Sequence, residues 1–212
     1  MYSASVVYKK LETSWVIIVA MVCLVSANIL SIVSFTTTGW RVTSMEFSPD
    51  TGENVQLWEG LWQVCRTHDS DLPSSCIYQD KIVGTGLTVR EKYTPTNRQP
   101  PMWFRTVQGF AVIGLLCLIV SFLICLVYMC LVKTTKRKGP VVATAIFSIF
   151  GGGAWALAIV IFVTHFSNDV MFAYSLHYSF FLACISVGAS VCGAVFSLIE
   201  IRNTGDVIPN VM

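Results

Sequence analysis

The residues of this sequence that are most able to do chemistry are its eight cysteines and three histidines. His68, His165 and His177 stand far apart, and no pattern of cysteines or carboxylates surrounds them at the spacing of a metal site. We interpret each as a surface or interface residue. The triple glycine from Gly151 to Gly153 lacks the preceding strand and following lysine of a phosphate-binding loop. The sequence therefore predicts no enzyme activity, no catalytic residue, no metal ion and no cofactor.

Two of the cysteines differ from the others in their surroundings. Cys65 and Cys76 stand in a long polar stretch with ten residues between them, whereas the other six lie in or beside apolar runs. A thiol in such a run is usually a small packing residue. For Cys130, which is close to Lys133, attachment of a palmitoyl group is the alternative to a free thiol.

The elements that position these residues follow from composition. The chain has 212 residues, of which 54% are hydrophobic and only 12% charged, about half the charged fraction of a typical soluble domain. Four runs contain no Asp, Glu, Lys or Arg and are long enough for a hydrocarbon core about 30 Å thick. They predict an all-α four-helix membrane bundle with spans at Trp15 to Phe35, Val107 to Val132, Val141 to Val163 and Leu176 to Ile199.

Basic residues beside the runs predict the orientation of the bundle, because cytoplasmic segments of membrane proteins are enriched in Lys and Arg. We expect the bundle to lie in the plasma membrane. The cytoplasmic side is expected to contain both chain ends, the linker 133–140 and the tail 200–212. Segments 36–103 and 164–175 are expected on the outside. No basic patch of the kind that binds nucleic acid is present. The basic residues are Lys9 and Lys10 before the first run, and Lys133, Lys136, Arg137 and Lys138 after the second.

The first outer segment, 36–103, has the pattern of a small antiparallel sheet. Strands are expected at Arg41 to Phe47, Asn54 to Cys65 and Ser75 to Gln79, separated by polar turns. Because the segment is exported, its two cysteines are expected to form a disulfide. Closing so short a ring contributes about 3 kcal/mol in the chain-entropy model.

Seven residues in this arrangement carry a family resemblance. Their order and spacing between the first and second of four spans resemble the signature of the claudin superfamily, which includes the peripheral myelin protein and epithelial membrane protein branch. An arginine near the start of the second span resembles the arginine that claudins carry there. The pair Val107-Gln108 instead resembles the sequence of the epithelial membrane protein branch. The signature residues are Trp40, Gly60, Leu61, Trp62, Cys65, Cys76 and Arg105.

The resemblance implies one of two functions and leaves the choice open. The first is a structural protein of cell–cell junctions, such as tight junctions, with side-by-side self-association, a partner on the adjacent cell, and a paracellular barrier or pore. The second is a regulatory subunit of a channel or receptor. The short second outer segment and the ending Asn210-Val211-Met212, which lacks the features of a good PDZ ligand, favour the second.

Several residues have a structural interpretation beside a functional one. Trp40 and Trp62 are expected to anchor the sheet on the membrane, with direct partner contact as the alternative. Arg105 can extend to lipid headgroups. Within the spans, Asn28 predicts an interhelical hydrogen bond. Small residues are expected to bring helices together, or else to meet a neighbouring protomer: Gly151 to Gly153, Cys184, Gly188, Ala189, Cys192 and Gly193.

Overall fold

The computed structural model describes residues 15–46, 54–68, 75–78, 101–132, 138–166 and 174–205. These residues form four long helices and one five-stranded antiparallel sheet. In chain order the elements are α1 (Trp15–Thr36), β1 (Arg41–Glu46), β2 (Asn54–Glu59), β3 (Gln63–His68), β4 (Ser75–Tyr78), α2 (Met102–Val127), α3 (Gly139–Phe166), β5 (Tyr174–Leu176) and α4 (Tyr178–Gly205).

All four helices are long and apolar enough to cross a membrane. Even α1, with 22 residues, extends over about 33 Å at 1.5 Å per residue, which matches a hydrocarbon core of about 30 Å. The described part of the chain is thus a multi-pass membrane bundle with a small sheet at one end. This confirms the predicted fold class.

The ends of the helices differ from the ends of the apolar runs for local reasons. Helix α2 begins at Met102, five residues before Val107, because the carbonyl of Pro101 accepts the amides of Phe104 and Arg105 at 2.9 and 3.2 Å. At its other end α2 continues into a π-helical segment, Tyr128–Val132, which contains the exposed Cys130. Palmitoylation of Cys130 stays the alternative to a free thiol. In α3, Pro140 lies in the first turn, where a missing N–H breaks no helical hydrogen bond.

The helices are arranged in a ring in which α1 packs on α4, α4 on α3, and α3 on α2, with a sparser contact closing the ring between α1 and α2. Each of the four contacts contains a buried hydrogen bond from a polar side chain to a carbonyl of the neighbouring helix. Such bonds contribute about 0.6 kcal/mol each on average. They run from Asn28 Nδ2 to Leu118 O, Ser34 Oγ to Ser179 O, Ser121 Oγ to Thr144 O, Ser148 Oγ to Ser190 O, and Ser186 Oγ to Ala27 O.

The hydrogen bond of Asn28 is the interhelical contact expected for this residue. Its amide nitrogen donates to Leu118 O on α2 at 3.2 Å and to Leu24 O in its own helix at 2.8 Å. Because α1 and α2 share little other contact, this bond helps to close the ring.

The small residues of the spans divide into two groups. Gly151, Gly152 and Gly193 lie in helix contacts, where an added Cβ would meet Leu118, Ser190 and Leu24, respectively. These three positions hold the bundle together, as expected.

Cys184, Gly188 and Cys192 do not hold the bundle together. All three are exposed on one side of α4, and a Cβ on Gly188 would meet nothing within 4 Å. The expectation that they pack inside the bundle is wrong, because a spacing of four keeps all three on one exposed side of α4. Gly153 is also exposed, on α3.

The strand order is β4-β3-β2-β1-β5. The single strand expected from Asn54 to Cys65 is wrong, because the chain turns at Gly60, Leu61 and Trp62 and returns as a separate strand. The fifth strand, Tyr174–Leu176, was not expected, and it pairs with Arg41–Thr43 of β1. The turn predicted around 48–52, the polar turn before Ser75 and the basic residues 133–137 lie outside the described residues.

Candidate functional site

Trp40 attaches the sheet to the helix bundle. Its side chain is 1% exposed, and its indole N–H donates to Ser34 O at the end of α1 at 2.8 Å. Its ring stacks on Trp155 with centroids 6.3 Å apart and meets the edges of Phe162 and Phe180 at 5.1 and 6.1 Å. Helices α1, α3 and α4 therefore all contact the side chain of Trp40, the residue directly before β1. Trp40 has no exposed surface left for a partner, which favours the anchoring interpretation.

The turn between β2 and β3 is the second point of attachment. Gly60 N donates to Gln63 O at 2.9 Å and closes the turn. Leu61 is fully buried in the same cluster as Trp40, with Phe104 and Val107 of α2. A Cβ at Gly60 would lie 2.5 Å from Thr37 O and 2.7 Å from Thr38 Cα, so only glycine lets the turn approach the end of α1.

Gln108 is a site residue whose structural role was not predicted from the sequence. Its amide Nε2 donates to Leu61 O at 2.6 Å and connects the turn to α2. The sequence offered one signal for it, a polar residue at the start of an apolar run. The identity of its acceptor depends on the tertiary fold.

Replacing Gln108 with leucine is expected to lower the melting temperature of the purified protein in detergent. The carbonyl of Leu61 would lose its donor inside a largely apolar contact, at a cost of about 1–3 kcal/mol. Intrinsic tryptophan fluorescence during heating would measure the change. Thr106→Ala is the matched control, because that exposed side chain bonds only Met102 O in its own helix. Equal melting temperatures for both variants would show that the Gln108 bond does not support the turn.

Trp62 and Arg105 lie nearer the surface than Trp40. The ring of Trp62 is half-buried and packs on Phe35 near the end of α1, with centroids 5.1 Å apart. Arg105 is exposed on the first turns of α2. A half-buried indole at a membrane boundary suits anchoring, which is the prediction for Trp62.

Cys65 and Cys76 form a disulfide between β3 and β4. They stand directly opposite each other in the register, with Cys65 buried and Cys76 exposed. The bond fastens the edge strand β4, which has only four residues, to the rest of the sheet. A sheet of two or three short strands is only marginally stable alone. The disulfide and the buried side chain of Trp40 both stabilise this small sheet.

Arg41 and Glu59 form an ion pair across β1 and β2 that the sequence analysis missed. The Glu59 side chain is buried, and the Arg41 side chain is mostly so. Breaking such a buried pair by removing one partner costs about 3–5 kcal/mol. The opposite charges were visible in the sequence, but their pairing depends on a register that the sequence does not reveal.

The histidines with described side chains contact tryptophans. His177, between β5 and α4, meets the edge of Trp58 with centroids 4.7 Å apart, and His165 near the end of α3 stacks on Trp103 of α2 at 5.2 Å. His68 lies in β3. The described residues contain no group of three or more His, Cys, Asp or Glu that could hold a metal ion.

The predicted signature residues thus lie in three places. Trp40, Gly60 and Leu61 come together where the sheet meets the helices, with Trp62 at the edge of that contact. Cys65 and Cys76 lie farther out in the sheet, and Arg105 lies exposed on α2. The arrangement fixes the position of a sheet on a bundle, and the only covalent chemistry that it contains is one disulfide.

The comparisons with known proteins agree with this geometry. The family model described as the PMP-22/EMP/MP20/Claudin family matches residues 13–196. The match extends from just before α1 to near the end of α4 and therefore includes both the bundle and the sheet. No curated protein sequence matches the chain. The family match extends over most of the chain and includes every signature residue, so this protein belongs to the PMP-22/EMP/MP20/Claudin family.

Proposed function

We propose that this protein is a structural component of cell–cell contacts in the plasma membrane, where it contributes to adhesion and to a paracellular barrier or pore. Copies associate side by side in one membrane and meet a partner on the adjacent cell through the sheet. Both chain ends lie in the cytoplasm. The family to which it belongs is one of structural rather than catalytic membrane proteins.

The observation that carries this proposal is the rigid mounting of the sheet on the bundle. The cluster around Trp40, the close approach of Gly60 and the disulfide fix five strands on the helix ends. A surface that is already ordered loses little conformational entropy when it binds. The Cys65–Cys76 disulfide supports an extracellular sheet, because disulfides persist in oxidising compartments and are rare in the cytosol.

A second candidate function is that of an auxiliary subunit bound laterally to a channel or receptor. It is favoured by the exposed side of α4 at Cys184, Gly188 and Cys192, where the open space beside Gly188 leaves room for a neighbouring helix. Small residues let helix backbones approach closely within a membrane. This candidate predicts a discrete complex with one larger partner in gentle detergent.

The test of the first function uses two populations of cells, each expressing the protein with a different fluorescent tag. We expect the tagged protein to concentrate where cells of different colour touch. Cys65→Ser is expected to lose this enrichment, because a native disulfide of a small domain contributes about 2–5 kcal/mol. Fluorescence at contacts, divided by fluorescence on free membrane, is the measurement.

Cys184→Ser is the matched control, because it removes an exposed thiol outside the disulfide. Surface biotinylation of each variant separates loss of adhesion from failure to reach the membrane. Uniform distribution of the unmodified protein over the cell surface would contradict the adhesion proposal and favour the auxiliary subunit.

A further inference from the structure

Two buried polar atoms inside the bundle have hydrogen-bonding capacity that the described residues do not use. Among those residues, Oδ1 of Asn28 on α1 accepts no hydrogen bond, and Nε1 of Trp155 on α3 donates none. Asn28 is 8% exposed and Trp155 is fully buried, so both atoms are shielded from the surroundings of the bundle. A buried polar atom costs free energy unless it is hydrogen-bonded. Both atoms therefore favour a bound partner.

The orientation of the Asn28 amide is fixed by its nitrogen atom. Nδ2 donates to Leu24 O at 2.8 Å and to Leu118 O at 3.2 Å. An amide oxygen cannot donate to a carbonyl, so exchanging the positions of Oδ1 and Nδ2 would lose both bonds. The atom that lacks a partner is thus an acceptor on Asn28, and the one on Trp155 is a donor.

The acceptor and the donor both lie beside one turn of α2. The Asn28 amide bonds Leu118 O, and Nε1 of Trp155 lies 3.1 Å from the position that a Cβ on Gly114 would take. Gly114 and Leu118 are four residues apart, which is about 6 Å along a helix axis. Two hydrogen bonds that share one oxygen atom span about 5.6 Å. The spacing of these two positions therefore fits one bridging oxygen.

The chemistry of the two atoms selects a hydroxyl group as the ligand. An indole N–H only donates, so its partner must accept, and an amide oxygen only accepts, so its partner must donate. A hydroxyl does both through one oxygen, whereas an ionised carboxylate only accepts and an ammonium only donates. The four apolar runs contain no Asp, Glu, Lys or Arg that could pair with an ion.

We propose that the bundle binds one hydroxyl-bearing molecule between Trp155 and Asn28, which accepts from the indole N–H and donates to the amide oxygen. Water has this chemistry, and so does the hydroxyl of a membrane lipid that enters where the contact between α1 and α2 is sparse. Helices α1 and α3 are not neighbours in the ring, so the bound hydroxyl connects two helices that lie diagonally.

The test is a nuclear magnetic resonance experiment on the full chain, with its six tryptophans labelled with nitrogen-15 at the indole nitrogen. Trp155→Phe identifies the Trp155 signal by its loss. One sample contains dodecylphosphocholine, a detergent without a hydroxyl, and a second sample adds a diacylglycerol, a lipid with one free hydroxyl. We expect a cross-relaxation peak from the Trp155 N–H either at the water frequency, which identifies water, or at the protons beside the lipid hydroxyl, which identifies the lipid. Recording in the rotating frame separates contact from proton exchange, because the two give opposite signs.

Trp40 is the matched control in the same spectrum. Its side chain is 1% exposed, but its indole N–H already donates to Ser34 O. We expect no peak from the Trp40 N–H to water or to the lipid hydroxyl, although both tryptophans are buried to the same degree.

Asn28→Ala is expected to weaken the Trp155 peak about fivefold or more, because the bound hydroxyl loses its acceptor. Ser148→Ala is the control for this variant. It removes a buried hydrogen bond to Ser190 O in the contact between α3 and α4, and it is expected to leave the Trp155 peak unchanged.

The proposal is overturned if the Trp155 N–H gives no peak to water or to the lipid hydroxyl, or if Trp40 and Trp155 behave alike. A Trp155 peak of full strength in Asn28→Ala would also reject the bridge. None of these results depends on adhesion between cells, so the proposed function is tested separately.

Discussion

Replacing Trp40 with alanine is expected to prevent the protein from accumulating in folded form at the cell surface. Removal of a fully buried tryptophan typically costs about 3–5 kcal/mol, because the cavity is only partly refilled. Three aromatic neighbours would lose their shared contact, and Ser34 O would lose its donor. The melting temperature in detergent and the fraction of protein that is biotinylated at the surface would measure the loss.

Two further variants make this prediction specific. Trp15→Ala removes an indole that is 68% exposed and packs only edgewise on Phe196, so it is expected to change stability little. Trp40→Phe keeps an aromatic ring but removes the N–H, and it is expected to fall between the wild type and Trp40→Ala. Similar melting temperatures for Trp15→Ala and Trp40→Ala would contradict the role of Trp40 as the mount of the sheet.

Gly60→Ala is expected to separate the turn of the sheet from the end of α1. The added methyl would meet Thr37 O and Thr38 Cα, which are backbone atoms and cannot move aside by a side-chain rotation. The chain would have to shift, which would strain the bond from Trp40 N to Glu59 O. Overpacking of this kind typically costs about 1–3 kcal/mol. Surface yield and melting temperature would both fall.

Gly109→Ala is the control for this substitution. Gly109 is exposed within α2, and an added Cβ would meet nothing within 4 Å. Alanine is favoured over glycine inside a helix by about 1 kcal/mol, so this variant is expected to be as stable as the wild type or slightly more stable. A normal melting temperature for Gly60→Ala would show that the turn can move away from α1 without loss.

The membrane architecture was predictable from the sequence because it depends on long-range composition. Four uncharged apolar runs are sufficient to predict four helices, and the alternating residues of segment 36–103 predicted a small sheet. The details of the sheet were less accessible. Gly60 and Leu61 lie between two strands that the sequence pattern predicted as a single strand, because no cluster of polar residues marks the turn. The strand Tyr174–Leu176 has three residues, too few to show an alternating pattern, and it forms because β1 offers an edge to pair with.

The polar contacts between the helices could not be predicted either, and the reason differs from that for the sheet. Serine occurs throughout the apolar runs, and a serine that bonds a neighbouring helix looks the same in the sequence as one that faces lipid. Ser148 and Ser186 became recognisable as interhelical donors only when the helix faces were known. The same uncertainty led to the incorrect expectation for Gly188.

The pairing of β1 with β5 would direct a mechanical load on these strands to two helices. Strand β1 follows α1 after four residues, and β5 precedes α4 after one residue, His177. A force on β1 and β5 would therefore reach α1 and α4 through these short connections. Helices α1 and α4 pack along each other, so this force would act on one packed pair of helices.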